Sequence, residues 1–88
     1  MLESIRDNFP DKDIYILENL NDAIIGYHQQ SNRVVYSVKK IIELILIEEK
    51  LNDKNFTLHD AMDYFGYNIE SNGCGEFSPI LCYDNFEL

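Results

Sequence analysis

Few residues in this chain carry the chemistry of a nucleophile or a metal ligand. Cys74 lies between Gly73 and Gly75, and His28 and His59 are distant from it in sequence. A thiol beside an imidazole makes an activated nucleophile, but nothing in this spacing brings either histidine to Cys74. Cys74, Cys82 and one histidine are also zinc-ligand types, yet no C-x-x-C or H-x-x-x-H pair is present. Asp60 and Asp63 share a face if their segment is helical. Paired carboxylates there could do acid–base work, and a solvated helix face would carry the same pair. Gly-rich phosphate loops, H-E-x-x-H and calcium loops are absent. The expectation is a protein that is not an enzyme, with no catalytic residue, metal site or cofactor.

Charge is more informative. The chain has 16 Asp and Glu against 7 Lys and Arg, a net charge of −9. Every Lys and Arg lies at or before Lys54, so Asp60, Asp63, Glu70, Glu76, Asp84 and Glu87 have no basic side chain in their own part of the sequence. Direct nucleic-acid binding needs Lys and Arg against phosphate and is disfavoured. An anionic membrane surface is disfavoured for the same reason. A basic protein surface would be attracted. The plainer reading, charge that only keeps a small protein soluble, stands beside it. The six tyrosines add to the interaction reading, since tyrosine buries a ring while its hydroxyl stays wet. A ring edging a small core is their alternative role. The candidate partner-binding residues are Glu48, Glu49, Asp53, Asp60, Asp63, Tyr64, Tyr67, Glu70 and Glu76.

These side chains need a scaffold, and 88 residues make one domain with one modest core. Leu2, Ile5 and Phe9 have helical spacing but Pro10 interrupts them, so residues 1–12 are expected to be weakly structured. Residues 13–17, DIYIL, read as a short strand or extended arm, and ENLND as a polar connection. Ala23–His28 and Arg33–Ser37 read as strands of a hairpin around Gln29-Gln30-Ser31-Asn32. Strict alternation would group Ala23, Ile25 and Tyr27 on one face, against Ile24, Gly26 and His28. It pairs Val34 with Tyr36 on β-strand two. Gly26 would leave a gap or admit a close neighbour.

Ser37 can cap a helix over about 38–50. Its apolar residues, Val38, Ile41, Ile42, Leu44, Ile45, Leu46 and Ile47, cover more than half the circumference. Such a belt needs two neighbours, one the hairpin and the other the next helix or a second copy of the chain. Thr57 can cap a second helix over about 58–70, striped by Leu58, Ala61, Met62, Phe65 and Ile69. Gly66 inside it suggests a bend or a close packing partner. The apolar tail suggests a C-terminal strand near Pro79–Tyr83 or an extended segment on the domain. The expected fold class is α+β. The opening MLESIRDNFPDKD is not a secretory signal and no apolar run is long enough to span a membrane. A cytoplasmic protein with free thiols is the expectation.

The pattern NDAIIGY…NRVVYSVKKIIELIL…TLHDAMDYFGYNIE…GEFSPI resembles a group of small acidic proteins of phages and bacteria. The likeness spans Leu20 to about Ile80. It implies a compact α+β domain, and no settled activity or active site comes with it. In size and acidity, though not in motif, the chain is similar to phage anti-defence proteins such as anti-CRISPR inhibitors. The expected function is inhibition of that type: an acidic face standing in for nucleic acid on a basic host protein, such as a CRISPR effector, in the host cytoplasm. The alternative is a self-associating module that dimerises through the helix at 38–50.

Overall fold

The computed structural model describes residues 1–11, 14–70 and 78–85. The architecture is α+β, with a three-stranded sheet and helices packed against it. Helix α1 (Leu2–Asn8) opens the chain, followed by strands β1 (Ile24–His28) and β2 (Arg33–Ser37). Helices α2 (Val38–Lys50) and α3 (Leu58–Phe65) come next, and strand β3 (Ile80–Cys82) follows. The sheet order is β1-β2-β3, with β1 antiparallel and β3 parallel to the central β2.

The hairpin departs from simple alternation. Ile24 pairs with Tyr36, but Gly26 pairs with Val35, so Ile25 is an extra residue and β1 carries a bulge. The bulge resets the phase of the strand. Ile24 and Tyr27 therefore pair with the two fully buried apolar residues of β2, Tyr36 and Val34, and Ile25 is exposed. The grouping of Ile25 with Tyr27 does not survive this insertion. A side chain at Gly26 would meet nothing within 4 Å, so no close neighbour explains that glycine. At the turn, Asn32 adopts φ 56°, a left-handed conformation that Asn tolerates. Its Oδ1 accepts the Tyr27 hydroxyl at 2.8 Å, which ties the loop to the strand.

Ser37 ends β2 and starts α2. Its Oγ accepts the Lys40 backbone N–H at 3.1 Å and donates to the Asp84 carboxylate at 2.6 Å. The other Asp84 oxygen accepts the Lys39 N–H at 3.0 Å. The segment after β3 thus satisfies donors at the α2 N-terminus that would otherwise lack partners. Along α2, Val38, Ile41, Ile42 and Ile45 are buried, each contributing about 1.5–3 kcal/mol of apolar burial. The wide belt has its two neighbours within the chain: β2 and α3 both pack on α2. What stays outside is Ile47, 64% exposed, and Leu51 just beyond the helix, 84% exposed.

Helix α3 begins with a reciprocal cap. Thr57 Oγ1 accepts the Asp60 N–H at 3.2 Å, and the Asp60 carboxylate accepts the Thr57 N–H at 2.9 Å. Ala61 and Phe65 are buried, while Met62 is exposed at the edge of the stripe. The helix expected to run to residue 70 is α-helical to Phe65 and then widens into a π-helical turn, Gly66–Glu70. Gly66 begins this change of winding with nothing near its missing side chain.

Two further segments position the rest. The opening, expected to be weakly structured, forms α1 because Ile5 enters the core and Phe9 stacks on Tyr27 with ring centroids 4.5 Å apart. Residues 14–17 form an arm without regular secondary structure and not a strand. The Leu17 N–H donates to the Tyr36 hydroxyl at 2.8 Å, a side chain in place of a strand neighbour. Among the described residues, no helix is long and apolar enough to cross a membrane.

Candidate functional site

Three stretches remote in sequence converge on one cleft of about 260 Å³. The arm and its turn contribute Leu17 through Leu20, α2 contributes Ile45, Glu48 and Glu49, and α3 with its π turn contributes Tyr64, Asn68 and Ile69. The spacing of each contribution follows from its backbone. Ile45, Glu48 and Glu49 lie at i, i+3 and i+4, the spacing that places side chains on one helix face. Tyr64 and Asn68 are also four apart, and the Asn68 amide donates to the Tyr64 carbonyl oxygen at 3.1 Å. The turn is tightened by Asn19 at φ 64°.

The cleft has two characters. Leu17, Leu20, Ile45 and Ile69 form an apolar floor, with Leu20 and Ile45 buried. Glu18, Glu48 and Glu49 stand around it together with the half-exposed Tyr64, and no Lys or Arg lines it. Among the described residues these three carboxylates have no hydrogen bond and no ion pair. A smaller hollow of about 100 Å³ adjoins it, sharing Leu17 and Ile69 and reaching Glu70, Pro79 and Leu81.

The predicted partner-binding residues therefore separate. Glu48, Glu49 and Tyr64 meet at the cleft and Glu70 borders the adjoining hollow. The Glu70 carboxylate already accepts the Tyr83 hydroxyl, a bond that pushes the Tyr83 hydroxyl pKa up. Tyr83 in turn meets Phe65 edge-on at 6.4 Å. Asp53 and Asp60 have local structural partners. Asp53 accepts the Asn55 N–H at 2.9 Å and shapes the loop between α2 and α3. Asp60 is the helix cap, and hydrogen bonds from the Thr57 backbone and side chain hold its carboxyl below the usual carboxylate range. Asp63 lies 3.6 Å from His59 on the exposed face. Tyr67 is exposed and lines neither hollow. Glu76 and Cys74 lie outside the described residues.

Glu18, Asn19 and Asn68 join the site without having been singled out in the sequence. ENLND reads as an ordinary polar connection, and only Leu17 before it and Leu20 within it mark it as a segment folded back on the domain. Cys82 is a half-buried free thiol on β3. Among the described residues, no three His, Cys, Asp or Glu side chains are grouped to hold a metal ion. The arrangement offers anionic acceptors, an aromatic face and an apolar floor. The chain matches no protein-family model, no curated protein and no solved structure.

Proposed function

We propose that this chain is a non-enzymatic inhibitor of the phage anti-defence, anti-CRISPR-like type. It docks an acidic face on a basic, nucleic-acid-binding surface of a host protein in the host cytoplasm and occupies the place of phosphates there. The observation that carries the reading is the set of Glu18, Glu48 and Glu49 carboxylates, unpaired among the described residues, around a cleft with no base in its lining. Carboxylates left without counter-charges raise the negative potential at that face and steer cationic partners towards it. The net charge of −9 and the absence of Lys and Arg after Lys54 add to it. The test is capture of partners from native-host lysate by tagged protein, at low and at moderate salt, read by mass spectrometry. A single nucleic-acid-binding protein, lost as salt rises, supports the reading. Recovery of the chain alone at both salts overturns it.

A second reading, self-association, has one observation in its favour: Ile47 and Leu51, one turn apart and both largely exposed. With α3 already covering the second side of α2, this apolar strip is narrow. A strictly monomeric mass at micromolar concentration would remove this reading.

A further inference from the structure

We infer that the cleft between the 17–20 turn, α2 and α3 is a socket for one arginine side chain of the partner protein. This rests on the inhibitor reading and gives it a point of attachment. Size is the first argument. Pockets for drug-sized ligands run about 300–1,000 Å³, and this cleft, about 260 Å³, falls below them. It suits a single long side chain.

Chemistry selects the side chain. The floor of Leu17, Leu20, Ile45 and Ile69 is matched by an aliphatic stem, which arginine and lysine both bury while their heads stay at the rim. The rim then separates the two. Glu48 and Glu49 both line the cleft from the end of α2, and Glu18 lines it from the turn. A guanidinium presents five donors in a planar fork to such acceptors, where an ammonium is a compact point charge. Tyr64 supplies a half-exposed ring on which a guanidinium plane stacks. The Asn68 amide nitrogen is held by the Tyr64 carbonyl, while its oxygen has no partner among the described residues and is a further acceptor. It is the groove with its apolar floor and aromatic wall, and not the carboxylates alone, that makes the site.

The experiment maps backbone amide shifts of the full chain against the blocked peptide Gly-Gly-Arg-Gly-Gly, with citrulline and lysine versions and free spermidine as comparisons. The arginine peptide should shift Ile45, Glu49, Tyr64 and Asn68 most, and the citrulline peptide should not. Glu48→Gln with Glu49→Gln should weaken it about fivefold or more, the upper end for a half-exposed ion pair. Tyr64→Leu should weaken the arginine peptide and leave the lysine peptide unchanged. Shifts spread evenly to acids away from the cleft, such as Asp84 at the opposite end of α2, would overturn the socket. So would equal binding of citrulline, or lysine or spermidine binding as tightly as arginine. Arginine docking here with no host protein captured would sink the inhibitor reading alone. A captured host protein indifferent to all three substitutions would sink the socket alone.

Discussion

The backbone N–H of Leu17 donates to the hydroxyl of Tyr36 at 2.8 Å, joining the arm to a fully buried residue of the central strand. This bond fixes where the arm turns and so where Leu17, Glu18 and Leu20 meet α2 and α3. Tyr36→Phe removes the acceptor and keeps the ring. The expected cost is about 1–3 kcal/mol, the penalty for leaving a part-buried N–H unpaired. Denaturant unfolding measures it, and amide shifts of residues 17–20 should move with it.

Tyr36 also contributes to the alkaline limit. Burial pushes its hydroxyl pKa above the ordinary value, with the Leu17 hydrogen bond opposing more weakly. The neutral phenol is thus favoured in the folded state. Its contribution is fully present below pH about 10 and is lost as pH rises through the higher folded value. A thermal unfolding series from pH 8 to 12 should show falling stability above pH about 10, and Tyr36→Phe should flatten that fall.

The acid limit lies with Asp84 and Asp60. Hydrogen bonds from the Ser37 hydroxyl and the Lys39 N–H hold the Asp84 carboxyl below the usual range, and the Thr57 bonds do the same for Asp60. Depressed carboxylates stabilise the fold above pH about 3.9, and that stabilisation is lost as pH falls through their lower folded values. Asp84→Asn should lower the melting temperature at neutral pH and make its decline below pH 4 shallower. An unchanged acid profile would contradict the clasp between the C-terminal segment and α2.

The helix junctions allow two opposite outcomes. Thr57→Ala breaks the cap of α3 and should cost about 1 kcal/mol. Gly66 has right-handed helical dihedrals, φ −61° and ψ −44°, and open space where a side chain would be. Gly66→Ala should stabilise by about 0.5–1 kcal/mol by reducing the freedom of the unfolded chain. Urea midpoints at constant slope separate the two signs.

Local chemistry made much of the fold readable. Ser37 and Thr57 are strong N-cap types, the α2 apolar run is long, and both helix starts fall where those residues put them. The bulge at Ile25 was not readable, because an extra residue in a strand leaves alternation looking intact on either side. Nor was the parallel pairing of β3, which is short and joins β2 only after two helices. Of the site, Glu48, Glu49 and Tyr64 were legible as acids and an aromatic on neighbouring helices. Glu18 was not, since its place depends on the Leu17–Tyr36 bond across 19 residues. Asp60 looked available for a partner, whereas its carboxylate is held by the backbone of Thr57.

The central claim is that the acidic cleft occupies a nucleic-acid-binding surface. The most direct measurement is competition: a fluorescent nucleic-acid probe bound to the captured host protein, followed by anisotropy as the chain is added. The account predicts release of the probe, with the Glu48→Gln and Glu49→Gln double variant needing about fivefold more protein or beyond. Simultaneous binding of chain and probe, with the variant equal to the native chain, would contradict it.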